Sequence, residues 1–268
     1  LAREFGVAYQ HTKVFVKNIQ VNYKIIGEGL PTQAGKPLLI LHGWGSSSNQ
    51  WQAVAELLAQ KQIQCVILDF PGFGGTSEPK TAWNLDKYVE FINEFVQKVP
   101  ELGNGFILLG HSFGGAVAVK YTIKYNQNVK RLFLVAAACV REKTFIKKIF
   151  FYISKIVKLF SFLPYYSLVR KGIYKFIIKK SDYLSVSGAM KETYLKVVSE
   201  DLLWRLRFVK IPTFLIWGDK DTLTPLSQAK IIQDKISNST LMVIKEGTHD
   251  LERKVPQILA EKILENAN

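Results

Sequence analysis

Short apolar runs alternate with segments of helical periodicity along most of the chain. The apolar runs that predict strands are residues 38–41, 65–68, 106–109, 132–135, 213–217 and 241–244. Apolar positions recur at helical spacing in residues 51–60, 85–99, 114–125 and 226–236. Wholly apolar strands are typical of a sheet covered on both faces. The alternation therefore predicts an α/β fold, with a mostly parallel central sheet and helices on both faces.

Two parts of the chain depart from this alternation. Residues 12–27 alternate apolar and polar side chains around Lys17-Asn18, which predicts a hairpin of two strands. Residues 141–208 show helical patterns and no clear strand. We therefore expect residues 1–140 and 209–268 to form the two parts of one α/β core, and residues 141–208 to form an inserted helical cap.

Positive charge is concentrated in the predicted cap. The chain has 36 Lys and Arg against 22 Asp and Glu, a net charge of +14. Residues 141–180 contain 11 of these basic residues and one acid, Glu142, so this segment supplies +10 of the total. Within residues 143–163 the lysines largely avoid an apolar stripe, as in a helix that packs one face and exposes a cationic one. Such a face could also contact an anionic membrane surface or an acidic carrier protein.

Cysteine content and the start of the sequence exclude several classes. Cys65 and Cys139 cannot form a disulfide framework or a four-thiolate zinc site, and their apolar neighbours predict buried side chains. No metal-ligand cluster or phosphate-binding glycine motif occurs, so we expect no metal and no cofactor. The sequence has no run typical of a signal peptide or a membrane span, from which we expect a cytoplasmic protein.

The pentapeptide Gly110-His111-Ser112-Phe113-Gly114 lies between a predicted strand and a predicted helix. This is the context that a serine nucleophile requires at a strand-to-helix turn. Small glycines allow the tight turn, and the following helix directs unpaired N–H groups towards developing negative charge. Ser112 is therefore the candidate nucleophile.

A serine hydroxyl needs a base to take its proton. The four histidines of the chain are His11, His42, His111 and His249. His11 lies in the leading segment. His42 and His111 lie in glycine-rich turns, where we expect them to shape the turn. His249 lies on a loop after the last predicted strand, so elimination makes it the candidate base.

The base needs an acid, and the reaction needs donors for an oxyanion. Asp219 and Asp221 both follow the strand predicted at 213–217, and the residues alone leave the choice open. The backbone N–H of Phe113 is one candidate donor for the oxyanion. The other is the backbone N–H of Trp44 in His-Gly-Trp-Gly, just after the strand at 38–41.

Five motifs in this order resemble the α/β-hydrolase superfamily. They are His-Gly-Trp-Gly at 42–45, Asp-Phe-Pro-Gly-Phe-Gly at 69–74, Gly-His-Ser-Phe-Gly at 110–114, Gly-Asp-Lys-Asp-Thr-Leu-Thr-Pro at 218–225 and Gly-Thr-His at 247–249. The resemblance implies that Asp221, rather than Asp219, is the acid, and that the cap follows the sixth strand. The first two motifs look like those of the capped serine carboxylesterases, of the pimeloyl-carrier-protein methyl ester esterase type.

These residues predict a serine hydrolase that cleaves carboxylic esters through an acyl-enzyme and favours apolar acyl groups. A lactonase or a C–C bond hydrolase with the same Ser112, Asp221 and His249 is an alternative. A non-catalytic module that binds lipid or a partner on the same fold is another. The expected partner is a small ester substrate. Nucleic acid is not expected, because the basic segment contains no known reader motif.

Overall fold

The computed structural model describes residues 9–27, 36–141 and 188–267. An eight-stranded sheet with strand order β1-β2-β4-β3-β5-β6-β7-β8 forms its centre. The strands are β1 Tyr9–Val16, β2 Ile19–Ile26, β3 Leu38–Leu41, β4 Cys65–Leu68, β5 Phe106–His111, β6 Val129–Val135, β7 Thr213–Gly218 and β8 Ser239–Ile244. The described helices are α1 Gln52–Ala59, α2 Leu85–Lys98, α3 Phe113–Lys124, α4 Gly188–Ser199, α5 Leu226–Lys235, α6 Leu251–Lys254 and α7 Pro256–Ala267.

The sheet is parallel from β4 to β8, and only the pairings of β1 with β2 and of β2 with β4 are antiparallel. The predicted α/β class is thereby confirmed. The carboxyl ends of the parallel strands meet at one edge of the sheet, where ligands of open α/β sheets usually bind. Loops that leave β3, β5, β7 and β8 at this edge carry the candidate residues.

Side chains of each buried strand alternate between two apolar layers. In β3, Leu39 and Leu41 belong to the layer beneath α2, α3 and α5, whereas Leu38 and Ile40 belong to the layer beneath α1 and α7. All four of these side chains are fully buried. The wholly apolar runs in the sequence therefore follow from a sheet with helices on both faces.

The predicted hairpin is β1 and β2, paired in register from Tyr9 with Ile26 to Val16 with Ile19. Lys17 and Asn18 form its two-residue turn, with φ angles of 48° and 62°. Positive φ at both positions is the backbone of a turn whose twist matches that of the flanking strands.

Only one end of the predicted cap lies within the described residues. Residues 188–208 contain α4 and the short 3₁₀ helix Leu206–Phe208. The Arg141 side chain donates hydrogen bonds to the backbone oxygens of Val197 and Glu200, which fixes the end of α4 to the core. Residues 142–187, with the basic amphipathic segment at 143–163, lie outside the described residues, so the bounds of the cap stay a prediction.

Candidate active site

Ser112 occupies a strained turn between β5 and α3. Its φ and ψ angles are 51° and −116°, a backbone conformation that residues with a side chain rarely adopt. Gly114 makes the turn possible, because a Cβ at this position would overlap the backbone oxygens of Leu41 and His42. The turn projects the Ser112 hydroxyl from the sheet edge at the start of α3, whose first N–H groups have no partner within the helix.

His249 lies on the loop between β8 and α6, and its ring joins two side chains that are distant in sequence. Its Nε2 is 3.0 Å from the Ser112 Oγ, and its Nδ1 is 2.8 Å from an Asp221 carboxylate oxygen. A carboxylate only accepts hydrogen bonds, so Nδ1 carries a proton and donates a hydrogen bond to Asp221. Nε2 is then left to accept a hydrogen bond from the Ser112 hydroxyl.

Asp221 is buried and held by several donors. Besides His249, it accepts hydrogen bonds from the backbone N–H groups of Leu223 and Thr224 and from the Thr224 hydroxyl, at 2.7–2.9 Å. Burial by itself raises the pKa of Asp221, but the hydrogen bonds and the charge of His249 outweigh it, and the pKa is lowered. Asp219, the other candidate, is exposed. The structure thus brings Asp221, and not Asp219, to His249.

The His-Gly-Trp-Gly loop packs directly against Ser112. A Cβ on Gly43 would lie 3.3 Å from the Ser112 Cβ and 3.0 Å from the His111 Nδ1, so only a residue without a side chain fits here comfortably. The Trp44 ring contacts the Phe113 ring edge to face, with centroids 5.6 Å apart. These contacts bring both residues predicted to bind an oxyanion to the same wall of the site.

A cavity of about 370 Å³ opens in front of Ser112 and His249. Its apolar wall includes Trp44, Phe113, Tyr194, Val197 and Leu223. Charged side chains line it as well: Arg141, Asp250, Glu252 and Arg253. The volume is in the usual range for small-molecule sites.

Four other residues that the sequence singled out belong to the fold and not to the Ser112–His249–Asp221 arrangement: His42, Asp69, Cys65 and Cys139. His42 donates from Nδ1 to the Gly43 oxygen and accepts at Nε2 from the Phe70 N–H, and burial lowers its pKa to about 4. Asp69 accepts hydrogen bonds from the Ser48 and Gly75 N–H groups, so it braces the loop. Cys65 and Cys139 are buried, as predicted, and burial raises the pKa of both thiols.

The sequence pattern did not point to several polar residues of the site, among them Thr224, Arg141 and Glu252. Thr224 binds Asp221 and lies 3.2 Å from the His249 Nδ1. Arg141 and Glu252 line the cavity. For Thr224 a signal existed, since it stands in the same motif as Asp221; Arg141 and Glu252 lie in charged stretches that read as solvent-facing.

The described residues contain neither a metal site nor a membrane-spanning helix. Among residues 9–27, 36–141 and 188–267, no group of three or more His, Cys, Asp or Glu side chains is placed to hold a metal ion. No helix in the same three ranges is both long and apolar enough to span a bilayer.

The sheet order, the strained serine turn and the Ser112–His249–Asp221 arrangement together define an α/β hydrolase. The family model Hydrolase_4, described as serine aminopeptidase, S33, matches residues 32–254. The chain belongs to this family.

The proteins similar to this chain include lipases. Lipase 1 of Psychrobacter immobilis is 27% identical over 241 residues, which are 81% of this chain and 72% of that protein. The monoacylglycerol lipase ABHD6 of Mus musculus is 26% identical over 250 residues, which are 85% of this chain and 74% of that protein.

Solved structures share the fold. An esterase from Exiguobacterium antarcticum aligns with a TM-score of 0.72 at 20% identity, covering 96% of this chain and 99% of that one. At this identity the likeness describes the fold alone.

Proposed function

We propose that the protein hydrolyses carboxylic esters through an acyl-enzyme formed on Ser112. The observation that carries this proposal is the continuous chain of hydrogen bonds from Ser112 through His249 to Asp221, at 3.0 and 2.8 Å. A serine hydroxyl within 3.0 Å of an imidazole held by a buried carboxylate is the arrangement that activates a serine for acyl transfer.

Acylation begins when the Ser112 Oγ attacks the ester carbonyl carbon and His249 Nε2 takes the hydroxyl proton. The tetrahedral intermediate collapses, the bond to the alcohol oxygen breaks, and the protonated His249 gives its proton to the leaving alcohol. A water molecule then attacks the acyl-enzyme while His249 takes one of its protons. Release of the acid returns that proton to the Ser112 oxygen, so every step uses groups of this chain and water.

The backbone N–H groups of Trp44 and Phe113 would receive the negative oxygen of the intermediate. Phe113 is the first residue of α3, where a helical N–H has no partner of its own. Gly43, which precedes Trp44, lies against Ser112. Each such donor contributes most where water is excluded.

Apolar acyl groups are the proposed substrates. The aromatic and aliphatic wall formed by Trp44, Phe113, Tyr194, Val197 and Leu223 favours burial of a hydrocarbon chain. The names of the two lipases that this chain resembles point the same way, towards fatty acyl esters of glycerol.

The basic segment at 141–180 suggests where such substrates come from. Its eleven basic residues against one acid favour attraction to an anionic lipid surface or an acidic carrier protein. Flotation with vesicles that contain or lack anionic lipid tests the first partner. The second partner predicts salt-sensitive hydrolysis of a carrier-linked ester beside salt-insensitive hydrolysis of a short neutral ester.

Replacement of the nucleophile tests the proposed reaction. We expect Ser112→Ala to lose at least about 10³-fold in kcat with p-nitrophenyl butyrate, because no acyl-enzyme can form. Ser199→Ala, a change at an exposed serine, should leave the rate unchanged. The Ser112→Ala protein should also resist labelling by a fluorophosphonate probe. Near-wild-type turnover by purified Ser112→Ala protein would show that the assignment is wrong.

A further inference from the structure

His111 connects the nucleophile turn to the loop of the base. It immediately precedes Ser112 at the end of β5, and its side chain is buried. Its Nε2 is 3.1 Å from the backbone oxygen of His249. Because a carbonyl only accepts, the proton is on Nε2 and His111 is the donor. One imidazole therefore bridges two segments that are 138 residues apart in sequence.

Glu252 approaches the same imidazole from α6, three residues after His249. Its side chain is 2% exposed, and its Oε2 is 3.9 Å from the His111 Nε2. This distance is too long for a hydrogen bond but short enough for the carboxyl charge to act on the N–H group. Among the described residues that Oε2 has no hydrogen-bond partner.

We propose that His111 and Glu252 are positioning residues for His249. His111 holds its backbone from the side of the nucleophile turn, Glu252 supplies a buried carboxyl beside it, and Asp221 holds its ring. The inference rests on the proposed function, because it assigns a role in the reactivity of Ser112. Neither side chain contacts the Ser112 hydroxyl or takes part in the proton transfers described above. His111 acts through the backbone oxygen of His249, and Glu252 acts through its charge.

Only one member of the pair changes charge near neutral pH. Burial raises the pKa of the Glu252 carboxyl to about 7, whereas burial lowers the pKa of His111 to about 3. The other titratable and charged groups that act on the two side chains come from the loops after β3, β7 and β8 and from α6: His42, Asp221, His249, Asp250 and Arg253. Burial is the largest influence on the pKa of His111, and with these groups included His111 stays neutral.

Ionisation of Glu252 should therefore strengthen the support of His249. A carboxylate at 3.9 Å from His111 places a negative charge beside the loop that carries His249. The same negative charge favours the imidazolium that forms on His249 when Ser112 attacks. The reactivity of Ser112 should gain from this charge as the pH rises through 7.

The test compares two Glu→Gln variants that lie symmetrically about His249. Glu252→Gln removes the buried charge three residues after His249; Glu246→Gln removes an exposed charge three residues before it, where side-chain exposure is 70%. The readout is the second-order rate of Ser112 labelling by a fluorophosphonate probe from pH 5.5 to 9. Relative to wild type, we expect Glu252→Gln to label at a similar rate at pH 5.5 and about 10-fold more slowly at pH 8.5. Glu246→Gln should follow wild type throughout.

The possible results separate this inference from the proposed function. A wild-type protein that is not labelled at all would overturn both. A labelled wild-type protein with a Glu252→Gln ratio that is constant across pH would overturn the positioning role alone. If Glu252→Gln does not fold, Glu252→Met gives the same comparison, since it removes the charge and leaves no buried polar group at this position. Its rate relative to wild type should also fall with rising pH, and a flat ratio would contradict the inference.

Discussion

Two buried carboxyl groups flank His249, and their surroundings differ sharply. Asp221 accepts hydrogen bonds from His249, from two backbone N–H groups and from the Thr224 hydroxyl, and its pKa is lowered. Glu252 is buried to a similar degree, but its Oε2 lacks a hydrogen-bond partner among the described residues, and its pKa is raised to about 7. Burial alone therefore does not decide whether a carboxyl group is charged.

The number of hydrogen-bond donors accounts for the difference in pKa between the two carboxyls, and so for when each one is charged. Desolvation penalises the charge of both carboxyls, and only Asp221 has enough donors to offset that penalty. Asp221 stays ionised across the neutral range and can hold the imidazolium at any working pH. Glu252 changes charge within that range, so its effect on the site varies with pH.

The sharpest test of the comparison is to remove the charge of Asp221, the carboxyl with several hydrogen-bond donors. Asp221→Asn should lower kcat with p-nitrophenyl butyrate by about 10³–10⁴-fold, because a neutral amide neither fixes the Nδ1–H tautomer nor stabilises the imidazolium. The matched control is Asp219→Asn, two residues away and exposed, which should stay within about twofold of wild type. A larger loss in Asp219→Asn than in Asp221→Asn would transfer the role to Asp219.

Much of the fold is predictable because local pattern and burial agree. The strands β3 and β4 begin and end at the predicted residues, since each is a wholly apolar run. In contrast, β6 begins at Val129, three residues before the predicted start, because the exposed Lys130 and half-buried Arg131 interrupt its apolar pattern. When a strand begins with charged side chains, its apolar run starts later than the strand itself, and a prediction based on apolar runs places its start too late.

The candidate site is less predictable, because its contacts join distant parts of the chain. Ser112 and His249 stand in recognisable local contexts, and the structure brings them to 3.0 Å. The choice between Asp219 and Asp221 depends on how one loop turns after β7, which residue type alone does not reveal. Glu252 stands in Leu-Glu-Arg-Lys, a stretch typical of an exposed helix start. Its burial follows from packing between distant parts of the chain, which places its carboxyl 3.9 Å from His111.

The second test asks whether the buried Glu252 carboxyl, which has few hydrogen-bond donors, lowers the free energy of unfolding. The pKa of Glu252 is about 7 in the folded protein and near its ordinary value of 4.5 when unfolded. Its contribution to stability is therefore fully present below pH 4.5 and is lost as the pH rises through 7. Glu252→Gln should have a higher free energy of unfolding than wild type at pH 8, by at most about 3 kcal/mol, and should lose most of that advantage at pH 5.

Denaturant unfolding of both proteins at pH 5, 6, 7 and 8 measures this difference. Glu246→Gln serves as control. Because the Glu246 carboxyl is exposed, the difference in free energy of unfolding between this variant and wild type should be the same at every pH. A Glu252→Gln advantage that is the same at all four pH values would mean that the carboxyl is not destabilised by burial. The contrast with Asp221 would then disappear.

The smallest expected effect comes from removing one donor of Asp221 while its charge stays. The Thr224 hydroxyl is 2.7 Å from Asp221 Oδ2 and 3.1 Å from the Ala136 oxygen. Thr224→Val keeps the shape but deletes the hydroxyl, which should move the pKa of Asp221 upward and lower kcat/KM by about 10-fold. Thr224→Ser restores the hydroxyl and should recover most of the rate. Equal losses in both variants would show that packing of the Thr224 methyl group, and not its hydrogen bond, supports Asp221.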